Sequence, residues 1–371
     1  MIAPPMADAR SGSPLADRLR ARIREGGPIP FVEFMEAALY DPEAGFFERH
    51  AVGERGEFVT SPHVSPAFGV LVARQLDEMW ELLDRPRRFR VVEVGAGDGT
   101  LAAQILDFVS PDVERSVDYI AVERSAAARA ALAELDVTVA TTLADVPAGG
   151  KGCLLANELL DDLPFRWLRR EVGGVAELHV DVVGEQFALV PRPVTTAALT
   201  AWARDLAPGE ERVVQEDALA FVDDAATLFD RGYLWFSDYG FAGGRFPREP
   251  HGYRGQRVEG DILADPGSRD ITAGVDFDAV AERARSAGLT VWGPVRQRDA
   301  LSALGLDELR ERARRRQVEA STAGRGLEAA RIFSARQRTS LLADPAGLGD
   351  FLVLAAGRGV DLPPTSVRQV G

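Results

Sequence analysis

The sequence of 371 residues has one cysteine, Cys153, and four histidines that lie far apart along the chain. A single cysteine excludes an intramolecular disulfide and any metal site that needs several thiolates. No two histidines have the spacing of zinc or iron ligands, so we expect no bound metal. Cys153 lies in an apolar run and is interpreted as a small buried side chain.

Long apolar runs are also absent. No segment approaches the roughly 20 apolar residues that span a bilayer, and the N-terminus lacks the apolar block of a signal peptide. We therefore expect no membrane insertion and a cytoplasmic location. Lys151 is the only lysine among the 43 basic residues, a bias that favours a bacterial source with a GC-rich genome.

The chain lacks an excess of positive charge, since its net charge at pH 7 is −14. A surface that neutralises phosphates needs surplus Lys and Arg, so nucleic acid is not expected as a partner. The arginine-rich residues 309–317 (LRERARRRQ) are interpreted as the solvated face of a helix. An acidic protein of this kind would attract a basic substrate.

From Phe89 onward, short apolar segments alternate with helical patterns. Helices are expected from Thr100 and Ser125 and over 277–287, with further helices to about residue 339. The predicted strands are residues 89–94, 117–123, 137–141, 153–156, 233–236, 289–292 and 351–355. This alternation predicts right-handed crossovers and an α/β fold with a Rossmann-like, doubly wound, mostly parallel sheet. Ligands of such sheets bind at the carboxyl ends of the strands.

The pattern also predicts how the chain is divided. We expect a mobile N-terminal segment over 1–27, a helical segment that covers the site over 28–88, and the Rossmann-like core over 89–371. Helices are predicted at 31–39 and 66–83, with a loop at 53–62 between them. Accessory regions are predicted at about 165–232, which begins with an antiparallel meander, and at 241–275, where residues 241–270 are interpreted as a long loop.

A glycine-rich turn follows the first predicted core strand at residues 93–99 (EVGAGDG). Gly95 and Gly97 let the backbone approach a ligand closely, and the next helix presents free N–H groups. A dinucleotide site expects a third glycine where Thr100 stands. Methyltransferases that bind S-adenosylmethionine instead place an acid two residues before the first glycine, as Glu93 does.

Two acids complete this pattern. Glu93 is predicted to receive the ammonium group of the cofactor's methionine part, and Glu123, at the end of the next strand, to accept hydrogen bonds from both ribose hydroxyls. Asn157 and Glu158 end the fourth strand. The other interpretation is that Glu93 and Glu123 are ordinary acids at strand ends.

Several segments together resemble one family. They are residues 31–47 (FVEFMEAALYDPEAGFF), 56–69 (GEFVTSPHVSPAFG), 91–100 (VVEVGAGDGT), 156–165 (ANELLDDLPF), 237–240 (SDYG) and 266–277 (PGSRDITAGVDF). These segments are similar to those of the MidA proteins, which include a mitochondrial complex I assembly factor that methylates a protein arginine. The sequence departs from the family at Glu57, where Asp is usual, and at Gly274, where many members carry His.

The resemblance implies a class I methyltransferase core with an N-terminal helical segment, an accessory β/α insertion and S-adenosyl-L-methionine as cofactor. It places the loop at Thr60, Ser61 and Pro62 beside the cofactor. The candidate cofactor-binding residues are Thr60, Ser61, Pro62, Glu93, Gly95, Ala96, Gly97, Glu123, Arg124 and Asn157.

The candidate catalytic residues are Glu158 and Asp161. With Asp162 they supply carboxylates after the fourth strand, where class I enzymes present the acceptor, and carboxylates can orient a guanidinium. Residues 157–159 also resemble part of the double-glutamate loop of enzymes that make symmetric dimethylarginine. Asp161 and Asp162 could instead cap a helix, and residues 238–239 could form a plain strand-end turn.

Three functions stay open at this point. A protein arginine methyltransferase follows from the family resemblance and the acidic loop, with an arginine-bearing protein as partner. A small-molecule methyltransferase would need a closed, apolar acceptor pocket. An assembly factor that binds the cofactor without needing turnover would show extensive exposed apolar surface. A homodimer is one assembly that the sequence leaves open.

Overall fold

The structure is a computed structural model that describes residues 13–49, 60–194, 196–244, 249–254 and 257–368. The helices are α1 (Pro14–Gly26), α2 (Phe31–Tyr40), α3 (Phe46–Arg49), α4 (Ser61–Val64), α5 (Ala67–Leu82), α6 (Thr100–Phe108), α7 (Pro111–Glu114), α8 (Ala126–Leu132), α9 (Ala197–Trp202), α10 (Glu216–Ala226), α11 (Phe277–Ser286), α12 (Gln297–Ala303), α13 (Leu306–Thr322) and α14 (Gly326–Leu341). The strands are β1 (Ile29–Pro30), β2 (Phe89–Val94), β3 (Val117–Val122), β4 (Thr138–Ala140), β5 (Lys151–Asn157), β6 (Arg166–Glu171), β7 (Gly174–Val183), β8 (Gln186–Pro193), β9 (Glu211–Val214), β10 (Arg231–Asp238), β11 (Gly240–Phe241), β12 (His251–Arg254), β13 (Arg257–Glu259), β14 (Asp270–Thr272), β15 (Val275–Asp276), β16 (Thr290–Arg296) and β17 (Leu352–Arg358).

In the described residues, the largest sheet has seven strands in the order β16-β17-β10-β5-β2-β3-β4. Strands β2, β3, β4, β5 and β10 are parallel, and β17 is antiparallel to both of its neighbours. Counted in chain order this sheet reads 3-2-1-4-5-7-6, whereas the dinucleotide-binding order is 3-2-1-4-5-6. The predicted doubly wound, mostly parallel sheet is confirmed, and its strand order reverses between β2 and β5.

Both faces of this sheet are covered, because successive side chains of a strand point to opposite sides. Val91 and Cys153 pack with α5 and α6 on one face, whereas Val92 and Leu154 pack with α10 and α11 on the other. Strands buried on both faces read as continuous apolar runs, which is why they were visible in the sequence.

A second sheet carries the N-terminal helices. It pairs β1, β7, β6 and β9 in that order, with β8 also on β7, and all of these pairings are antiparallel. The predicted meander is confirmed as β6, β7 and β8, and it is extended by β1 and β9, which were not predicted. Phe31 of α2 stacks on Phe165 at 5.6 Å between ring centroids and meets Trp167 edge-on at 5.4 Å. This packing fixes α2 above the carboxyl ends of the central strands.

The expectation that residues 1–27 are mobile is wrong for residues 14–26. They form α1, whose buried Leu15, Leu19 and Ile23 repeat every four residues and pack in the same core as α2. Ser13 caps the helix by accepting a hydrogen bond from the N–H of Ala16 at 3.2 Å. Because arginines separate these apolar residues, the sequence pattern did not predict this helix. Residues 1–12 lie outside the described part of the chain, and the division at 28–88 and 89–371 stays a prediction.

The interpretation of residues 241–270 as one long loop is also wrong. Strands β12, β13 and β14 form a small antiparallel sheet, and β11 pairs with β15. Strands of two to four residues are too short for alternation to show. Of the predicted loop at 53–62, residues 53–59 lie outside the described part, and Ser61 begins α4.

The arginine-rich residues 309–317 lie on α13, where Arg312, Arg314, Arg315 and Arg316 are exposed, so the solvated-face interpretation is confirmed. Among the described helices, none combines the length and the apolar character that crossing a membrane requires.

Candidate active site

A cavity of about 300 Å³ lies at the carboxyl ends of β2, β3, β4 and β5, where the strand order reverses. Its wall includes most of the residues predicted from the sequence: Thr60, Pro62, Glu93, Gly95, Ala96, Gly97, Glu123, Arg124, Asn157 and Glu158. Ser61 does not line the cavity, but its backbone N–H donates to Glu158 Oε1 at 2.8 Å. The sequence-predicted residues from four separate segments therefore meet at one place.

The glycine turn connects β2 to α6 with backbone conformations that favour glycine. Gly95 and Gly97 have φ values of 73° and 54°. A Cβ atom on Gly95 would lie 3.0 Å from Leu159 Cδ1, so a side chain at this position would require Leu159 to shift. The turn thus presents bare backbone to the cavity.

Glu123 joins this turn to the end of β3. Its Oε2 accepts from the N–H of Gly97 at 2.8 Å, and its Oε1 accepts from the N–H of Ser125 at 2.8 Å. Burial raises the pKa of Glu123, and the backbone donors partly oppose this rise. A carboxylate has about four acceptor positions, so two remain for a ligand.

Glu93 is buried beneath the turn, with 4% of its surface exposed. The Tyr119 hydroxyl donates to Glu93 Oε2 at 2.6 Å. Burial raises the pKa of Glu93 to about 8, although the hydrogen bond from Tyr119 acts in the opposite direction. A buried carboxyl of this kind favours a positively charged partner, which would stabilise its ionised form.

Glu158 has a left-handed backbone with φ of 53°, which is uncommon for a residue with a side chain. Its N–H donates to Ser237 O at 2.8 Å, and its Oε1 also accepts from Asn157 Nδ2 at 3.1 Å. Burial raises the pKa of Glu158 to about 7, and the Ser61 N–H partly opposes this rise. Backbone strain at a cavity wall is typical of functional residues.

Four aspartates form a buried cluster beside Glu158: Asp161, Asp162, Asp238 and Asp270. Burial raises the pKa of Asp161 to about 8 and that of Asp270 to about 7, and it raises the pKa values of Asp162 and Asp238 as well. Both carboxylate oxygens of Asp270 lack a hydrogen-bond donor, as do Oδ1 of Asp161 and Oδ1 of Asp162. At neutral pH such a cluster retains protons, because neighbouring buried carboxyls cannot all be ionised.

The structure corrects two expectations about this cluster. Asp162 lines the cavity and Asp161 does not, because residues 160–162 form a turn that points adjacent side chains in different directions. The helix-capping interpretation of both residues is wrong, since the turn leads into β6 rather than into a helix. Asp238 Oδ2 accepts from the N–H of Leu160 at 2.7 Å and so holds this turn in place.

The comparisons with known proteins agree with this geometry. The family model of S-adenosyl-L-methionine-dependent methyltransferases matches residues 71–295. The mitochondrial protein arginine methyltransferase NDUFAF7 homolog of Drosophila melanogaster is 31% identical, over 95% of this chain and 87% of its own. Mitochondrial NDUFAF7 of Xenopus tropicalis is 27% identical, over 81% and 77%. The chain belongs to the MidA family of S-adenosyl-L-methionine-dependent methyltransferases.

A solved structure also resembles the whole of this MidA-family chain. It is a protein of Burkholderia thailandensis bound to S-adenosyl-homocysteine, with 28% identity, a TM-score of 0.82 and coverage of 95% of this chain and 94% of the other. The predicted class I methyltransferase fold and the cofactor, S-adenosylmethionine, are confirmed.

The cavity of this MidA protein suits that cofactor chemically. Small-molecule sites combine apolar walls with a few placed polar groups. Here Leu101, Leu143 and Phe221 contribute apolar surface, while Glu93 supplies a carboxylate. Asn157 Oδ1 is a buried acceptor without a donor, which a ligand N–H could satisfy. Among the described residues, no group of three or more His, Cys, Asp or Glu side chains could hold a metal ion.

Several cavity residues were not predicted from the sequence. Thr141, Thr142 and Leu143 follow β4, so their position at a strand's carboxyl end was a usable signal. Tyr40 and Phe47 lie inside the family segment 31–47, and their rings are 5.4 Å apart. His63 bridges Thr60 Oγ1 at 2.7 Å and both oxygens of Asp98 at 3.2 Å.

The unusual Gly274 has a local explanation. A Cβ atom there would lie 2.5 Å from Phe241 Cε2 and 3.0 Å from Tyr239 Cε1. These two rings are themselves in contact, with centroids 5.7 Å apart. The histidine that many MidA proteins carry at this position cannot be accommodated beside Phe241 without displacing it.

Proposed function

We propose that this enzyme methylates arginine side chains of a protein. The observation that carries the proposal is the acidic wall on the acceptor side of the cavity, formed by Glu158 and Asp162 with Asp270 behind them. A guanidinium is a planar cation that carboxylates can bind through paired hydrogen bonds. The relatives named as protein arginine methyltransferases support the same acceptor.

The cofactor side of the proposal assigns roles to the remaining wall residues. Glu93 receives the ammonium group, and Glu123 accepts from the ribose with the acceptor positions that Gly97 and Ser125 leave free. The backbone at Gly95, Ala96 and Gly97 gives the ligand space, and Asn157 accepts through its free Oδ1. Thr60 and Pro62 close the cavity at α4, where the Ser61 N–H holds Glu158, and Arg124 borders the cavity at the end of β3.

When bound, S-adenosylmethionine would supply an electrophilic methyl group: the acceptor nitrogen would bond to the methyl carbon as the bond from that carbon to sulfur breaks, and S-adenosylhomocysteine would leave. Glu158 orients the guanidinium and takes up the proton that the nitrogen loses. Its pKa of about 7 suits a general base near neutral pH, because such a group exists in both protonation states there. The Ser61 N–H fixes the Glu158 carboxylate in place, and positioning is the main requirement of a displacement of this kind. Asp161 does not line the cavity, so its role is indirect, as a neighbour of Glu158 in the buried cluster.

The acidic wall favours a cationic acceptor over an apolar small molecule. A non-catalytic assembly role draws some support from exposed apolar side chains on α13 and α14, among them Val318, Leu327 and Phe333. The cytoplasmic location, the bacterial source and a homodimeric assembly stay predictions.

The acceptor can be tested with the full chain, cofactor labelled in its methyl group and a protein lysate. Acid hydrolysis of the labelled proteins should release methylated arginine. Label that is confined to other residues or to small molecules would contradict the proposed acceptor.

Glu158→Gln should reduce methyl transfer at least about a hundredfold while cofactor affinity changes less than about threefold. Glutamine keeps an acceptor oxygen for the Ser61 N–H, so the change removes charge more than shape. The matched control is Glu134→Gln, which changes an exposed glutamate that does not line the cavity. If Glu158→Gln retains full transfer, Glu158 has no catalytic role. A large fall in melting temperature with a proportionate loss of activity would indicate a structural role instead.

A further inference from the structure

A second concavity adjoins the cofactor cavity. It is an open groove of about 650 Å³ between α2 and the start of α10, with Glu33, Glu36, Pro164 and Asp217 among its lining residues. Tyr40 and Arg124 line both the groove and the cofactor cavity. The groove and the cofactor cavity therefore share a boundary at Tyr40 and Arg124.

The groove has an acidic lining. Glu33, Glu36, Asp41 and Asp217 outnumber its two cations, Arg22 and Arg124. Each of these arginines already forms an ion pair with a glutamate of α2, and Arg18 from outside the groove pairs with Asp41 at 2.6 Å. Asp217 has no ion-pair partner within the described residues.

Among the acids that line the groove, Asp217 is the one that a bound cation would stabilise most. Burial raises the pKa of Asp217, and the nearby carboxylates of Glu36 and Glu216 raise it further, although Arg166 and Arg124 act in the opposite direction. A positive group in the groove would relieve this repulsion. Asp217 also lies in the first turn of α10, where the helix dipole favours an acid, but that interaction does not satisfy the repulsion from Glu36.

A guanidinium group already occupies the boundary between the groove and the cavity. The Arg124 guanidinium carbon lies 4.3 Å from the centre of the Tyr40 ring, and both of its terminal nitrogens donate to the two oxygens of Glu36. A ring face plus a carboxylate is a favourable setting for an arginine side chain. The geometry of this boundary therefore fits a guanidinium group, which is also the group that the proposed acceptor carries.

We propose that this groove binds the polypeptide segment that carries the acceptor arginine and that it selects segments with positive charges beside that arginine. The proposal rests on the proposed function, because it takes the acceptor to be a protein arginine. The alternative is that these ion pairs only hold α2 against the core, although exposed ion pairs contribute little to stability.

The test uses the full chain saturated with S-adenosylhomocysteine and two fluorescent decapeptides. Both peptides have one central arginine, flanked by lysines in the first and by glutamates in the second. Anisotropy at low salt should show that the lysine peptide binds at least about tenfold more tightly. The double variant Glu36→Gln, Asp217→Asn should lose about tenfold of that affinity and keep its affinity for S-adenosylhomocysteine.

The matched control is Glu134→Gln, Asp136→Asn, which removes two charges from exposed residues that line neither the groove nor the cofactor cavity. Equal loss in the control, or equal binding of both peptides by the unaltered chain, would overturn the docking groove. Arginine methylation in the lysate together with such a result would leave the proposed function intact. Groove-dependent binding without any arginine methylation would support the groove and contradict the acceptor.

Discussion

Glu93 combines deep burial with a position in the cavity wall. At neutral pH its carboxyl is mostly protonated in the unliganded enzyme, because burial raises its pKa to about 8. A bound ammonium group would stabilise the carboxylate instead. Binding should therefore release a proton from Glu93, and the Tyr119 hydroxyl, 2.6 Å away, continues to stabilise the charged form.

The first prediction follows from this linkage. Affinity for S-adenosylmethionine should rise with pH between about 6.5 and 8, because fewer enzyme molecules must then lose the proton of Glu93. Calorimetry in two buffers of different ionisation enthalpy should show close to one proton released per cofactor at pH 7. Glu93→Gln should abolish this release and weaken binding about tenfold or more at pH 8. Titration of the cofactor's own amine is common to both proteins, so an identical pH profile would contradict the role of Glu93.

Glu123 accepts hydrogen bonds from two backbone N–H groups and also lines the cavity, where we propose that it binds the ribose. Glu123→Gln keeps one acceptor oxygen but places an amide NH2 group against one of the two backbone N–H groups, so it should weaken cofactor binding about ten- to a hundredfold and lower stability less than Glu123→Ala does. Glu123→Ala leaves the N–H groups of Gly97 and Ser125 without their acceptor, so the free energy of unfolding should also fall by about 1–3 kcal/mol. Calorimetry and thermal melts separate the two effects. Unchanged cofactor affinity in both variants would mean that the ribose is held elsewhere.

At the scale of elements, hydrogen bonds of His63 connect α4 to the glycine turn. With a neutral imidazole, Nε2–H donates to Asp98 and Nδ1 accepts from the Thr60 hydroxyl. Burial alone would raise the pKa of Asp98, but hydrogen bonds from His63 and Thr100 hold it below its usual value. The same short helix presents the Ser61 N–H to Glu158. One turn of helix thus joins the cofactor side of the cavity to the acceptor side.

A double-mutant cycle tests this connection. His63→Ala and Asp98→Asn should each weaken S-adenosylmethionine binding, and the double variant should be little weaker than either alone. The expected coupling is about 1 kcal/mol, which is typical of side chains in direct contact. Independent, additive losses would show that His63 does not act through Asp98. His179→Ala is the control, because His179 lies on β7 away from the cavity.

Which elements were predictable depended on how each one is buried. Strands β2, β3, β5 and β10 are buried on both faces and showed as apolar runs, so the sheet and the ends of its strands followed from the sequence. Helix α1 was missed because arginines separate its three buried apolar residues. Strands β12 to β14 were missed because each is only three or four residues long.

The candidate site was predictable where its residues follow strands or lie in a glycine turn, as Glu93, Glu123 and Asn157 do. It was not predictable where contacts are made across the fold. Asp162 and Asp270 are 108 positions apart, and only folding shows that they share a buried cluster. The choice between Asp161 and Asp162 depended on the direction of one turn, which no sequence pattern specified.

At the scale of the whole molecule, the buried carboxyl groups and the surface carboxylates change the stability in opposite directions as the pH rises. Many exposed carboxylates pair with arginines, and hydrogen bonds from Arg231 and Arg212 lower the pKa values of Asp84 and Asp205. Their contribution to stability is therefore lost only in acid. In the buried cluster, by contrast, burial raises every pKa, so the folded chain binds more protons than the unfolded chain between about pH 4 and pH 8.

This difference predicts a stability that falls as pH rises. When the folded state binds more protons, the free energy of unfolding decreases with pH until the folded pKa values of about 7 and 8 are passed. The melting temperature of the ligand-free enzyme should therefore drop by at least about 3 °C from pH 5.5 to pH 8.5. High salt separates this effect from repulsion among surface charges, which the net charge of −14 would also produce. Asp270→Asn should flatten the pH dependence in high salt, while Asp136→Asn, an exposed control, should leave it unchanged. A melting temperature that is constant or rises with pH in high salt would mean that the cluster is ionised in the folded enzyme. The acidic wall of the cavity would then carry more negative charge at neutral pH than these pKa shifts imply.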